Sequence, residues 1–156
     1  MEKQAPSRGR KIKLLVEILV LIFAVVYLPM RFRALKFTNQ ATRLYNEGKW
    51  EEAMAGYERA LKAYPGFRPA RMNLRDVCLE QADKMVLRSE FAEAEGLYQK
   101  ALGLDADAND VHWKLATVYW HQGKRTLALD EINAHLQRRP DHQQALDLQR
   151  TLTEGK

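Results

Sequence analysis

Two patterns of apolar residues divide this chain. From Leu14 to Met30 apolar residues are nearly continuous, and Glu17 is the one charged residue among them. Beyond Met30, apolar residues recur at spacings of three and four, the period of a helix that buries one face. The pattern predicts an apolar helix followed by a series of amphipathic helices.

Pairs of alanines recur within the amphipathic part. Each pair is separated by twelve residues and occupies the same place in a two-helix pattern. Such internal repetition indicates a solenoid, whose units bury their faces against neighbouring units. Small residues let two helices cross closely, glycine permits the turn, and proline ends the second helix. The three pairs are Ala41 with Ala53, Ala82 with Ala94, and Ala116 with Ala128.

These positions resemble the tetratricopeptide repeat (TPR) over roughly residues 34–140. Ala94 and Ala128 are 34 residues apart, which is the period of that family. The matching residues are Gly48, Trp50, Tyr57, Ala60, Leu61 and Pro65; Phe91, Tyr98, Ala101 and Leu102; and Leu115, Tyr119, Gly123, Leu136 and Pro140. The resemblance implies an all-α fold that serves as a binding surface.

The repeats depart from the family pattern at a few places. Ala53 and Ala94 are 41 residues apart, and seven extra residues are almost two helical turns. We therefore expect a longer helix from about Pro69 to Arg88. Ser89 stands where the turn glycine is expected, and Arg125 and His135 replace apolar or small residues.

The resulting expectation is an N-terminal transmembrane helix, a three-repeat TPR α-solenoid and a C-terminal capping helix. Asp141 is the expected N-cap of that last helix, whose Ala145, Leu148 and Leu152 share one face. The expected boundaries are a basic tail at 1–13, the anchor at 14–30, the solenoid at 31–140 with repeats at about 34–67, 68–108 and 109–140, and the capping helix and C-terminal tail at 141–156.

The apolar run predicts a membrane anchor. Its seventeen residues span about 25 Å as a helix, at the short end for a hydrocarbon core of about 30 Å. A cleaved signal peptide is the alternative, but no clear small-x-small cleavage site precedes Arg31. The residues expected at the membrane interface are Lys11, Lys13, Arg31, Arg33 and Lys36.

Charge is distributed unevenly along the chain. Residues 1–43 hold nine Lys/Arg and two Asp/Glu, a net +7, while residues 44–156 hold sixteen and eighteen, a net −2. The near-neutral repeats argue against nucleic-acid binding. The basic residues before the apolar run favour a cytoplasmic N-terminus and, in a bacterial inner membrane, periplasmic repeats. Glu17 either pairs with Lys13 or contacts another transmembrane helix.

No motif for catalysis or for metal or cofactor binding is present. The sequence lacks a phosphate-binding glycine loop, a CxxC and an HExxH. His121 and Cys78 have no matching base or orienting acid, and Cys78 fits a buried core position. The sequence therefore predicts a protein that is not an enzyme and takes no cofactor, metal or small-molecule substrate.

In the TPR family the inner face of each first helix lines the peptide groove. Trp113 and Trp120 lie seven residues apart on one helix face, which suits either aromatic anchors for a partner or helix packing. The resemblance implies a groove that contains Asp110, Trp113, Thr117, Trp120, His121, Leu79, Asp83, Val86 and Tyr45.

The expected groove is apolar and aromatic, with acidic positions at Asp76, Asp83 and Asp110. An amphipathic helix or an apolar, basic segment suits it best. The Lys/Asn pattern with which some relatives clamp a C-terminal carboxylate is missing. The leading hypothesis is an accessory subunit or assembly factor of a bacterial envelope complex, with a membrane-embedded or membrane-associated protein partner. Alternatives are a cytosol-facing receptor or co-chaperone and a self-associating scaffold.

Overall fold

The computed structural model describes residues 8–105 and 109–154, which form helices and turns with no strand. Residues 1–7 of the expected basic tail (1–13), residues 106–108 at the end of the second repeat and residues 155–156 lie outside the described residues. The helices are α1 (Arg8–Ile22), α2 (Leu28–Asn46), α3 (Trp50–Ala63), α4 (Arg68–Leu87), α5 (Phe91–Leu104), α6 (Asn109–His121), α7 (Arg125–Arg138) and α8 (Gln143–Glu154).

The chain divides into two compact units, Met1–Ala70 and Arg71–Lys156. In the first unit, α1 and α2 form one continuous helix through a π turn at Phe23–Tyr27. The backbone N–H of Leu28 donates to the carbonyl oxygen of Phe23, five residues earlier. A wider turn suits this place because the ring of Pro29 would clash with the carbonyl oxygen four residues before it. The helix therefore continues through Pro29.

The amphipathic half of this helix packs against α3 through small residues. Ala41 and Ala53 are fully buried, and a Cβ atom added at Gly56 would lie only 2.7 Å from the Cβ of Ala41. The Thr42 hydroxyl donates to the Thr38 carbonyl oxygen at 3.0 Å and accepts from the Tyr57 hydroxyl at 3.0 Å. The close crossing predicted from the first alanine pair is confirmed.

An aromatic cluster joins the apolar half of the long helix to the end of α3. Phe23 stacks on Tyr27 with ring centroids 5.5 Å apart, and Tyr27 meets Tyr64 edge-on at 5.2 Å. The two tyrosine hydroxyls are hydrogen bonded at 2.5 Å, and Tyr64 also contacts Phe67. The apolar helix is thus tied to the first repeat by ring contacts as well as by the backbone.

The second unit has a continuous apolar core. Its four expected crossing alanines (Ala82, Ala94, Ala116 and Ala128) are all fully buried. Larger side chains such as Leu115, Val118 and Ile132 fill the space around them, and Ala145, Leu148 and Leu152 of α8 close one side. Cys78 is also fully buried, as expected of a small core residue.

The turn between the two helices of each repeat follows one pattern. In each turn, a backbone N–H donates to the carbonyl oxygen five residues earlier. The three bonds run from Lys49 to Leu44, from Glu90 to Met85 and from Lys124 to Tyr119, each at 2.9 Å. Two turns use glycine at positive φ, but the third places Ser89 at φ 63°. An L-residue at such an angle has a steric cost that glycine lacks.

The departures from the family pattern near the third repeat have partners. His135 is fully buried, yet its Nε2 lies 2.7 Å from Nδ1 of His142, so one ring nitrogen donates to the other. Arg125 donates to the carbonyl oxygen of Thr153 at 3.0 Å. Because α8 begins at Gln143, the residue before it is His142, and the Asp141 N-cap prediction was one position early.

Candidate interaction surface

The predicted groove residues of the second unit lie on α4 and α6. We name this region the α4–α6 surface. It contains Leu79, Asp83 and Val86 of α4 and Asp110, Trp113, Thr117, Trp120 and His121 of α6. Helical spacing places these residues on the same faces, because residues three, four and seven apart are neighbours on an α-helix.

A charged cluster connects three helices at this surface. Lys114 of α6 donates to both carboxylate oxygens of Asp83 on α4, each at 2.6 Å. The Tyr98 hydroxyl of α5 donates to the same carboxylate at 2.5 Å. Burial first, and the Asp83 carboxylate second, raise the pKa of Tyr98, so the phenol stays protonated as a donor. The cluster fixes Asp83 in place and balances its charge.

The other two acidic positions expected in the groove are also paired. Arg75 donates to Asp76 at 2.8 Å and to Asp105 at 2.6 Å. Arg139 donates to Asp110 at 3.1 Å. Since Asp83 is paired with Lys114, none of the three predicted acidic positions offers an isolated negative charge. Electrostatics at these positions therefore favours a basic partner less than the sequence suggested.

The two tryptophans of α6 have different surroundings. Trp120 is 45% exposed, and its ring lies 4.9 Å from the ring of His121. Trp113 is half-buried, meets His142 edge-on at 5.1 Å and packs against the core of the second unit. Trp120 therefore offers apolar surface to a partner, whereas much of Trp113 is already in contact with the repeat itself.

A stacked pair extends the exposed aromatic surface towards α5. The Phe91 ring is nearly parallel to the His121 ring, with centroids 4.7 Å apart. Thr117 donates its hydroxyl to the Trp113 carbonyl oxygen at 3.0 Å. Leu79 and Val86 are half-buried against the core. The accessible part of the α4–α6 surface is therefore aromatic, centred on Trp120 and His121.

Tyr45, the predicted groove residue of the first repeat, lies on α2 in the first unit and is half-buried. Lys114, Tyr98 and Phe91 contribute to the surface of the second unit but were not predicted as groove residues. Tyr98 and Phe91 were assigned to packing by the repeat pattern. Lys114 gave no signal, because its acidic partner is 31 residues away.

The first unit carries the predicted membrane-interface residues. Lys11, Lys13, Arg31, Arg33 and Lys36 are all exposed. Lys13 lies 4.0 Å from Glu17, one helical turn away, and both side chains are exposed. The long helix Gly9–Asn46 is the one helix in the described residues long and apolar enough to cross a membrane, and a signal sequence would have the same character.

The described side chains bring together no group of three or more His, Cys, Asp or Glu that could hold a metal ion. Other short polar contacts instead join neighbouring elements of the repeats. His112 lies 2.6 Å from Glu131, and Lys124 donates to Glu95 at 2.6 Å. The bond from Lys124 is the main cause of a lowered pKa at Glu95. These contacts stabilise the packing of the repeats.

A curated human protein gives a partial sequence match. Superkiller complex protein 3 from Homo sapiens is 28% identical over 81 residues, which is 52% of this chain. The chain spans 5% of the length of that relative. The match therefore concerns a short stretch of a much longer protein.

Solved structures with the same arrangement of helices are TPR domains. The first TPR of Spaghetti (RPAP3), solved with the HSP90 peptide SRMEEVD, has a TM-score of 0.51 at 18% identity, covering 80% of this chain and 96% of its own. A TPR protein from Parabacteroides merdae has a TM-score of 0.51 at 18% identity and covers 77% of this chain and 45% of its own. At these identities the likeness concerns the fold.

The family profile described as tetratricopeptide repeat matches residues 88–143. That segment includes the second turn, α5, α6, α7 and the start of α8. The match shows that residues 88–143 are similar to tetratricopeptide repeats, and the solved structures show the same fold over a larger part of the chain.

Proposed function

We propose that this chain is a membrane-anchored scaffold that holds a protein-binding TPR surface at the bilayer. The observation that carries the proposal is the single helix Gly9–Asn46, whose first half is apolar and exposed and whose second half is the first helix of the first repeat. With no linker between them, the apolar half would keep the first repeat next to the membrane. A membrane-embedded or membrane-associated protein is then the favoured partner.

The α4–α6 surface is the proposed binding site. Its exposed aromatic side chains suit an apolar segment or the apolar face of an amphipathic helix. The TPR of Spaghetti (RPAP3) was solved with a bound peptide, which supports a peptide-binding role for this fold. The transmembrane helix, through Glu17, offers a second contact with a membrane-embedded partner.

The proposed role is that of an accessory subunit or assembly factor of a bacterial envelope complex, with the N-terminus in the cytoplasm and the repeats in the periplasm. Purification of the tagged full-length protein from native membranes in mild detergent, followed by mass spectrometry, tests this role. A stoichiometric membrane complex would support it. Recovery with varied soluble clients would instead support a receptor or co-chaperone.

Two further measurements separate the alternatives. A periplasm-only reporter fused after Lys156 should be active, and an inactive reporter would favour the cytosol-facing receptor. Sedimentation of the full-length protein in detergent should give a monomer in the absence of its partner. A defined oligomer at micromolar concentration would favour the self-associating scaffold.

Site-directed variants test the binding surface. Trp120→Ala should weaken partner binding by about 2 kcal/mol, the size of an aromatic hot spot, while leaving helicity unchanged. Thr126→Ala, which changes an exposed residue of α7, is the control. If Trp120→Ala leaves partner recovery unchanged, the partner binds elsewhere.

A further inference from the structure

Two neighbouring grooves lie along α2 within the first unit. The groove nearer the apolar run, here called the lower groove, is lined by Leu28, Arg31, Phe32, Leu35, Phe67 and Pro69. The upper groove is lined by Phe32, Leu35, Lys36, Asn39, Gln40 and Arg43. Phe32 and Leu35 belong to both and form a ridge between them. They are 72% and 44% exposed, so a large apolar surface lies open beside basic groups.

The polarity of the two grooves changes along the helix. The lower groove, nearer the apolar run, is lined by apolar side chains and one arginine. The upper groove has polar side chains and two cations. A phospholipid has the same order of chemistry, with acyl chains below and a charged headgroup above. An extended protein segment would not require this order.

Charge complementarity favours an anionic headgroup. No Asp or Glu occurs between Glu17 and Glu47, whereas that stretch contains Arg31, Arg33, Lys36 and Arg43. The described residues provide no ion pair for any of these four side chains. Cations left without a carboxylate beside an apolar surface attract anionic lipid, by about 1 kcal/mol for each residue near the bilayer surface.

The position along the helix also fits a lipid. Arg31 follows Met30 directly, and Lys36 lies six residues beyond it, a rise of about 9 Å. The headgroup layer of each leaflet is roughly 5–7 Å thick. The long side chain of Lys36 can reach back into this layer from a backbone position just beyond it. Arg31 and Lys36 therefore lie at headgroup depth if the apolar run spans the bilayer.

We propose that the ridge of Phe32 and Leu35, with Arg31 and Lys36 beside it, is a binding site for an anionic phospholipid. The acyl chains lie in the lower groove and the headgroup contacts Arg31 and Lys36. The site rests on the membrane anchor of the proposed function and gives the first repeat a defined orientation on the bilayer. It shares no residue with the α4–α6 surface.

Native mass spectrometry of the full-length protein in neutral detergent tests this proposal. The protein is titrated with dioleoyl phosphatidylglycerol and with dioleoyl phosphatidylcholine. The anionic lipid should bind more tightly, and Arg31→Gln should weaken it about fivefold, the equivalent of one near-surface charge. Arg33→Gln is the matched control. It removes the same charge two residues away, but Arg33 lines neither groove, so less than about a twofold change is expected.

Equal affinity for the two lipids, or equal effects of the Arg31 and Arg33 variants, would overturn the lipid site. A photo-crosslinker at position 35 in native membranes should capture lipid, and capture of a protein would identify a helix-docking surface instead. Extraction of the full chain by alkaline carbonate would overturn the anchor, while selective lipid binding in detergent would still support the site.

Discussion

The apolar residues of the long N-terminal helix and those of the second unit differ in how far the described structure buries them. Every residue from Gly9 to Arg33 is exposed, although most of this segment is apolar. In the second unit, Leu115, Val118 and Ile132 are fully buried. A helix that is apolar on every side has no polar face to turn towards water and needs an apolar environment around it. A helix with one apolar face needs only a neighbouring helix that covers that face.

Charges within the apolar helix should produce the largest effect. Leu19→Arg with Ile22→Arg places two cations near its centre, at a cost to insertion of about 3–4 kcal/mol each. We expect loss of the full-length protein from the membrane fraction with unchanged helicity of the repeats, because both residues are exposed. Leu19→Phe with Ile22→Phe is the control. Retention of the arginine variant in membranes would mean that the repeats alone provide attachment.

Truncation of a core side chain should affect the repeats and leave the membrane fraction unchanged. Leu115→Ala removes a fully buried side chain of α6 and should lower the free energy of unfolding by about 2–5 kcal/mol. Leu87→Ala makes the same chemical change at a residue that is 86% exposed and should alter it by less than about 0.5 kcal/mol. Thermal unfolding followed by circular dichroism in detergent compares them. Equal effects would contradict the assigned core.

The close helix crossing of the first unit gives a third comparison. Gly56→Ala puts a methyl group 2.7 Å from the Cβ of Ala41 and should destabilise the protein by about 1–3 kcal/mol. Gly96→Ala is the matched control, since no atom lies within 4 Å of the added Cβ. That change should stabilise the protein by up to about 1 kcal/mol through helix propensity. A stabilising Gly56→Ala would show that α2 and α3 are farther apart.

Replacing Ser89 by glycine, the residue that the other two turns contain, should stabilise the protein. With φ at 63°, Ser89→Gly relieves a steric cost of about 1 kcal/mol. Gly48→Ala, at φ 78°, makes the reverse change and should destabilise by a similar amount. Both midpoints of unfolding can be measured in one denaturant series. A destabilising Ser89→Gly would indicate that the serine side chain makes a stabilising contact.

The smallest expected effect concerns Glu95. Its pKa is lowered mainly by the Lys124 ammonium, so its ionised form stabilises the fold above the ordinary value of 4.5. That stability is lost as the pH falls through the lowered pKa, because the carboxylate becomes protonated. Glu95→Gln should cost about 0.5 kcal/mol at pH 7 and flatten the loss of stability below about pH 5. An unchanged acid profile would show that the pair contributes nothing.

Much of the fold was predictable because its signals are local. The alanine pairs predicted the crossings, and all six alanines are fully buried. The longer fourth helix was expected from Pro69 to Arg88 and occurs at Arg68–Leu87. The predicted groove residues remain a proposal. The sequence treated Trp113 and Trp120 as equivalent because residues seven apart share a helix face.

The order of residues along the chain was enough to predict the periodicity, the positions of the close crossings and the presence of an apolar segment without a polar face. These follow from side-chain size and hydropathy along one helix. The packing of the helices was needed to show that Lys114 neutralises Asp83, that His135 is buried with His142 as its partner, and that Trp120 is more exposed than Trp113. Those outcomes depend on which helices become neighbours, and short-range spacing along the chain does not encode the pairing of distant polar groups.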